Sequence, residues 1–409
     1  MDFSDTPEEA AFRAEARAFL EANARPRDET RQVNYRGHIT EEEIQAARIW
    51  QAKKADAGFA ALGWPKKWGG REAPPIMSAI YHQEELNFDL PMGVFEVGVG
   101  MCLPTMLAYA TEDQLQTYIP PALRGEHIWC QLFSEPSAGS DMAGIRTRAE
   151  RDGDEWVING QKIWNSGAHH SDYGILIARS DPTVPKHKGI TFFFLDMKTP
   201  GVEVRPIHQI TGARRFSEVF LTDVRIPDSQ RLGAVGDGWR VALTTLMNER
   251  VVGGTVDAWP NPRDLLNLAR MVNIEGKPAI EHAAVREKLA DWYVQSQGLK
   301  VGLLRTLTAV SQGKEPGPEN SIGKLVKATM SQDIAAYGLD LLDAGGIVFD
   351  REVSPLNMMF QEAYLSSPGG RIAGGSDEIL RNIIAERVLG MPGDMRVDKN
   401  LPFNQIPHG

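Results

Sequence analysis

Apolar positions recur at helical spacing through the first part of the chain, over residues 6–22, 44–60, 76–88 and 112–119, with interruptions at Trp64-Pro65 and Trp68-Gly-Gly70. Thr40-Glu-Glu-Glu43 has the form of a capping box, in which hydroxyl and carboxylate satisfy each other's backbone donors ahead of the helix from Ile44. Residues 1–125 are therefore expected to be an all-α domain. Over 126–234 the pattern shortens to β-branched and aromatic runs, namely Tyr173–Ala178, Ile190–Leu195, Val202–Pro206, Glu218–Leu221 and Val224–Pro227. Asn159-Gly160, set between alternating residues of Glu155–Trp164, predicts a type I′ hairpin turn, because its positive φ angles are cheap only for such residues. A compact domain of antiparallel strands, barrel or sandwich, is expected here. After Gly236-Asp-Gly-Trp239 helical stretches return near 238–270, 279–312, 319–343 and 377–389, with Pro260-Asn-Pro262 and Pro316-Gly-Pro318 between them. They predict a C-terminal four-helix bundle over 235–409 and an α+β fold class.

Composition narrows the function. The 409 residues suffice for two or three domains, and 42% hydrophobic with 24% charged residues is ordinary for a globular protein. A formal charge of −10 opposes binding to a phosphate backbone, so nucleic acid is not expected as a partner. The acidic start lacks the basic and apolar regions of a signal peptide, and no apolar run reaches spanning length, so a cytoplasmic, unanchored enzyme is expected. Only Cys102 and Cys130 occur, and the adjacent His169 and His170 would point to opposite faces of a strand; neither a disulfide framework nor a metal site is indicated. Gly98-Val-Gly100 lacks the third glycine of a dinucleotide fingerprint.

Two ordered motifs carry the chemistry. Gln131-Leu-Phe-Ser-Glu-Pro-Ser-Ala-Gly-Ser-Asp141 is followed, beyond a charged hairpin signal, by Gly160-Gln-Lys-Ile-Trp-Asn-Ser166. With Gly63–Gly70, Phe216–Pro227 and Arg371-Ile-Ala-Gly-Gly-Ser-Asp-Glu-Ile-Leu-Arg381, they resemble the acyl-CoA dehydrogenase family over essentially the whole chain. The resemblance implies an N-terminal helical domain, a middle β-barrel domain and a C-terminal bundle, with FAD held between the last two. It also implies dehydrogenation of an acyl-CoA to a trans-2-enoyl-CoA, with electrons passed to an electron-transfer flavoprotein. Such chemistry needs a carboxylate for the Cα proton, a hydride acceptor at Cβ and donors on the thioester oxygen.

Matched residue by residue, the resemblance puts Gln131, Phe133 and Ser134 on one side of the flavin and Trp164, Asn165 and Ser166 on the other. Gly139 and Ser140 match positions that contact the pantetheine or phosphates of the substrate. Many members carry the catalytic glutamate where this chain has Gly374; the isovaleryl- and long-chain-type members place it on the first bundle helix, just before an arginine. Here that helix reads Leu246-Met-Asn-Glu-Arg-Val-Val252, which makes Glu249 the expected base and Arg250 a substrate contact. Burial beside flavin and thioester would raise the Glu249 pKa toward operating pH. Gly374 would still offer its N–H to the thioester carbonyl, and Gly375, Ser376 and Glu378 match cofactor positions, Ser376 reading equally as an N-cap. Gly345 and Gly346 resemble a glycine pair that approaches FAD from a neighbouring subunit, and read equally as a loop after a helix. The family's Arg-x-x-Phe element on the second bundle helix is reduced to Arg270 within Leu268–Gly276.

The expected assembly is a homo-oligomer, dimer or tetramer, with a heterotetramer as the alternative. Two other functions stand beside the dehydrogenase: a non-catalytic partner subunit, and a flavin oxidase or monooxygenase on the same scaffold. Small residues at Ala373-Gly374-Gly375 hint at a branched, cyclic or otherwise bulky acyl chain.

Overall fold

The computed structural model describes residues 5–27, 39–91, 93–254, 259–311, 317–395 and 398–407; within it the side chains of 249–254, 307, 310 and 311 are outside the described set. In chain order the first part holds α1 (Pro7–Asn23), β1 (Arg25–Pro26), α2 (Glu41–Asp56), α3 (Pro75–Glu85), β2 (Phe88–Asp89), α4 (Leu103–Tyr109) and α5 (Glu112–Leu123). The strands β3 (Trp129–Leu132), β4 (Arg148–Asp152), β5 (Glu155–Ser166), β6 (Tyr173–Arg179), β7 (Ile190–Asp196), β8 (Val202–Pro206), β9 (Phe216–Pro227) and β10 (Arg231–Leu232) follow. Then come α6 (Gly238–Gly254), α7 (Pro262–Met271), the small hairpin β11 (Asn273–Ile274) and β12 (Lys277–Pro278), α8 (Ala283–Ser311), α9 (Asn320–Leu342), α10 (Met359–Gly370) and α11 (Asp377–Ile383).

These elements pack into two units. One holds residues 37–73, 90–252 and 394–409, with the sheet at its centre. Its eight strands follow the order β10-β7-β6-β4-β5-β9-β8, with β3 beside β6. The pairings are antiparallel except for β3 with β6 and the short pairing of β4 with β6, which are parallel. The runs in β6 and β7 are continuously apolar because both faces of the sheet are covered. Ile175, Ile177, Phe192 and Phe194 enter one core with Leu103, Met106 and Ile119 from the helices, while Leu176, Ala178, Phe193 and Leu195 enter another with Ile158, Leu221 and Val224. The Thr40–Glu43 box caps α2 as expected, and Thr111 with Gln114 caps α5 in the same way. Both cysteines are fully buried, the Cys102 thiol donating to the Cys130 carbonyl at 3.6 Å. Burial pushes both thiols up, that of Cys130 to about 12.

The other unit holds residues 1–36, 74–89 and 253–393. Helix α1 begins at a Thr6–Glu9 capping box and seats Ala16 and Leu20 without exposure. Its Arg13 and Arg17 both reach Glu84, a nearly buried carboxylate on α3, at 3.0 and 2.9 Å. Farther along, Leu265 and Leu268 of α7, Leu289 and Trp292 of α8, Ile334 of α9 and Phe360 of α10 share one core. Gly338 permits that packing, since a Cβ there would lie 2.0 Å from the Phe360 ring. Among the described residues no helix is long and apolar enough to cross a membrane.

Two local expectations change. Asn159-Gly160 is not a hairpin turn: it lies inside β5, and the chain reverses at Gly153-Asp154, where Asp152 pairs with Glu155. Tertiary pairing overrides the turn preference, because the Asn159 amide donates to the Asp223 carboxylate at 3.0 Å and its oxygen accepts the Asp223 N–H at 2.9 Å across a bulge in β9. The glycine is demanded by a close approach instead, since a Cβ on Gly160 would lie 2.7 Å from the Thr147 Cα. Gly160→Ala is therefore expected to cost about 1–3 kcal/mol of stability by overpacking, read from the denaturant midpoint; an unchanged midpoint would show that the chain at Thr147 can give way. The helix expected over 238–270 is two, α6 and α7, with a cis Trp259–Pro260 bond before the second. Helices α4 and α10 carried no expectation, and each contains a proline, Pro104 and Pro368.

Candidate functional site

The two motifs meet within the sheet unit. Asn165 Nδ2 donates to the Gln131 carbonyl at 2.8 Å, the Ile163 N–H to the Ser134 carbonyl at 2.9 Å, and Lys162 Nζ to the Phe133 carbonyl at 3.1 Å. The end of β3 is thus laced to the end of β5, bringing Gln131, Phe133, Ser134, Trp164, Asn165 and Ser166 together. Phe133 and Asn165 are buried, Gln131 and Ser134 half-buried, and Trp164 and Ser166 exposed. The Gln131 Nε2 donor and the Asn165 Oδ1 acceptor are buried and find no hydrogen-bond partner among the described residues, a cost natural proteins rarely leave uncompensated.

Trp164 marks the spot by strain. Between Lys162 and Asn165 two residues of β5 face one of β9, and Trp164 in this bulge takes a φ of 62°. A left-handed conformation costs a bulky L residue about 1–2 kcal/mol. The bulge turns the indole outward, 57% exposed, edge-on to Phe216 with ring centroids 6.0 Å apart.

Behind this corner lies an ion pair that the motifs do not announce. Lys162, with no exposure, places Nζ 2.7 Å from Glu135, and Glu135 also accepts the N–H groups of Arg146 at 2.6 Å and Thr147 at 3.0 Å. Burial works to raise the Glu135 pKa, but Lys162 and these donors outweigh it and hold the carboxyl below its usual range. Burial pushes the Lys162 ammonium below its ordinary value against the pull of Glu135. Glu135 also starts a tight turn closed by reciprocal backbone bonds with Ala138, both 3.0 Å, after which Gly139 and Ser140 are exposed. The only signal of the pair in the sequence is one charge in each motif, Glu135 in a loop segment and Lys162 in a strand.

The remaining residues lie elsewhere. The backbone of Glu249 and Arg250 is in α6, but their side chains fall outside the described residues. In the helical unit Gly374 and Gly375 have φ of 65° and 97°, both in the left-handed region that favours glycine. Ser376 caps α11, accepting the Ile379 N–H at 3.4 Å, and the Gly375 carbonyl accepts from Lys324 Nζ at 2.5 Å. Asp377 is buried against Arg371, at 2.6 Å. Exposed Glu378 has its carboxyl pulled below its usual value by its own N–H and Ser376. Gly345 and Gly346 form a short helical turn after α9, where a Cβ on Gly346 would lie 2.9 Å from the Leu339 carbonyl, so this chain's own packing accounts for that glycine. Arg270 is exposed in the last turn of α7, which stops at Met271; the rest of the segment to Gly276 enters the β11–β12 hairpin, turned by Glu275 and Gly276 at φ of 51° and 79°.

Profiles of known families match along the chain in order: the acyl-CoA dehydrogenase N-terminal domain over 6–126, the middle domain over 130–224 and the C-terminal domain over 236–389. The chain belongs to the acyl-CoA dehydrogenase family. This acyl-CoA dehydrogenase family member is similar to the acyl-CoA dehydrogenase FadE34 of Mycobacterium tuberculosis, 39% identical over 84% of the chain but only 46% of that relative. It is 36% identical to acyl-CoA dehydrogenase IpdE1 of the same organism, over 87% of the chain and 90% of the relative. Among solved structures, one described as the Tcur3481-Tcur3483 steroid ACAD superposes with a TM-score of 0.80 at 29% identity, covering 96% of this chain and 100% of the other. A fold with helical N- and C-terminal regions and a central sheet domain, and an oxidoreductase activity on acyl-CoA, follow from this membership.

Proposed function

We propose that the chain is an FAD-dependent acyl-CoA dehydrogenase that converts a bulky acyl-CoA thioester to its trans-2-enoyl-CoA and passes electrons to an electron-transfer flavoprotein. The observation that carries this is the lacing of Gln131–Ser134 to Lys162–Ser166, which gathers the residues expected at a flavin edge into one corner of the sheet. The donor set fits: a buried unpaired donor on Gln131 and acceptor on Asn165 match the alternating donors and acceptors of a flavin's pyrimidine edge. The exposed Ser166 hydroxyl and Trp164 ring supply a polar contact and an apolar wall. When bound, FAD supplies the acceptor for the Cβ hydride.

The chain's own groups do the rest. Glu249 takes the Cα proton, with Arg250 beside it toward the CoA portion. Gly374 at 65° leaves no carboxylate at the family's other base position and keeps its N–H for the thioester oxygen. Gly139 and Ser140 meet the pantetheine or phosphates; Gly375, Ser376 and Glu378, with Arg270, Gly345 and Gly346, serve the remainder of the cofactor. The likeness to a steroid ACAD supports a polycyclic or otherwise large acyl group.

The test is anaerobic addition of a panel of acyl-CoAs to the purified chain, followed at the flavin band. Bleaching strongest with bulky acyl groups is expected, and Ser166→Ala with Trp164→Ala should lower flavin retention or reduction rate by about tenfold without unfolding. Absence of any flavin in the isolated chain would turn the reading to a non-catalytic partner subunit. Rapid reoxidation by oxygen at the expense of the carrier would turn it to an oxidase.

A further inference from the structure

The segment 398–407 belongs to the sheet unit and lies along the 181–189 loop. Pro402 bridges to Pro185, the Phe403 N–H donates to the Val184 carbonyl at 2.9 Å, and the Asn404 N–H to the Pro182 carbonyl at 3.0 Å. Two cations tie this strap to the loop that carries Gly139 and Ser140. Lys186 Nζ lies 2.7 Å from Asp398 and 2.9 Å from Asp141, with its side chain only 14% exposed. Arg179, almost wholly buried, stacks on the Phe403 ring at 3.7 Å and donates to the Lys186 carbonyl at 2.7 Å, the Ala143 carbonyl at 2.6 Å and the Ile145 carbonyl at 3.3 Å.

Gly139 and Ser140 themselves are exposed, and among the described residues no hydrogen bond holds their backbone. Their order comes from the flanks: the Glu135–Ala138 turn before them, and Asp141 with the 143–145 stretch after them. An isolated surface pair such as Lys186–Asp141 would be worth little. Here the ammonium is mostly buried, shared between two carboxylates and backed by a guanidinium that leaves few conformations open. We infer that Lys186 is a positioning residue for acyl-CoA recognition: with Arg179 and the 398–407 strap it holds the Gly139–Ser140 loop in its CoA-binding form. The strap is thereby part of the substrate site without touching substrate. This inference rests on the assignment of Gly139 and Ser140 to the CoA moiety.

The test uses the full-length, flavin-loaded protein and two measurements, hydrogen exchange of the peptide spanning 139–144 and calorimetric titration with coenzyme A. Lys186→Met and Phe403→Ala should each speed exchange in that peptide and weaken coenzyme A binding about tenfold, with flavin content unchanged, while Lys186→Arg restores both. Wild-type exchange in both Lys186→Met and Phe403→Ala would overturn the positioning role, as would equal losses in Lys186→Met and Lys186→Arg. If the wild type fails to bind coenzyme A, the CoA assignment of the loop falls and the inference about recognition falls with it; faster exchange in the variants would then report a purely structural strap.

Discussion

Glu249→Gln is expected to keep FAD and bind acyl-CoA yet reduce flavin at least about 10²-fold more slowly, since removing a positioned general base costs that factor or more. Glutamine preserves size and most hydrogen bonding, so packing contributes little to the loss. What disappears is the ability to take the Cα proton. Anaerobic single-turnover bleaching with an accepted acyl-CoA measures this directly, and a wild-type rate would remove Glu249 from the mechanism. The obvious rescue, a glutamate moved to position 374, starts at a disadvantage. Its backbone there has a φ of 65°, which costs an L residue about 1–2 kcal/mol. Any recovery in Glu249→Gln with Gly374→Glu should therefore be partial.

Lys162→Met is expected to be the most damaging single change to stability, by about 3–5 kcal/mol, because it leaves the Glu135 carboxylate buried without its cation. It also removes the donor to the Phe133 carbonyl, so flavin retention should fall with it. The double variant Lys162→Met with Glu135→Gln removes both charges and should recover most of the lost stability, since a neutral amide can still accept the Arg146 or Thr147 N–H. Denaturant midpoints for the two proteins decide it; equal losses would mean that packing of the lysine stem, not its charge, matters. The pH dependence has a definite sign. The folded-state pKa of Glu135 lies below its unfolded value, so the stabilisation is present above the unfolded pKa and is lost as pH falls through the folded one.

The parts of this molecule that can be read from sequence are those decided within a few residues. The Thr40–Glu43 cap forms as expected because donor and acceptor are three positions apart, and the same is true of Ser376 at the start of α11. The strands β6 to β8 begin where their apolar runs begin. Asn159-Gly160 misleads because its local turn preference yields to an amide–carboxylate match with Asp223, 64 residues away in sequence. Trp164 can be named from its motif, but its left-handed bulge cannot, since the extra residue is defined only against β9. Lys162 and Glu135 read as strand and loop charges until the sheet closes over them. Arg179 and Lys186 give no signal at all, because what they join is separated by more than two hundred residues of chain.

The sealed cysteines bear on the chemistry of the proposed product. A 2-enoyl thioester is an electrophile, and the side chain most able to add to its β-carbon is a thiolate. This chain has two cysteines in all; neither sulfur reaches solvent, and both are held protonated well beyond neutral pH by burial. The proposed enoyl product would therefore meet no exposed cysteine thiolate on this chain.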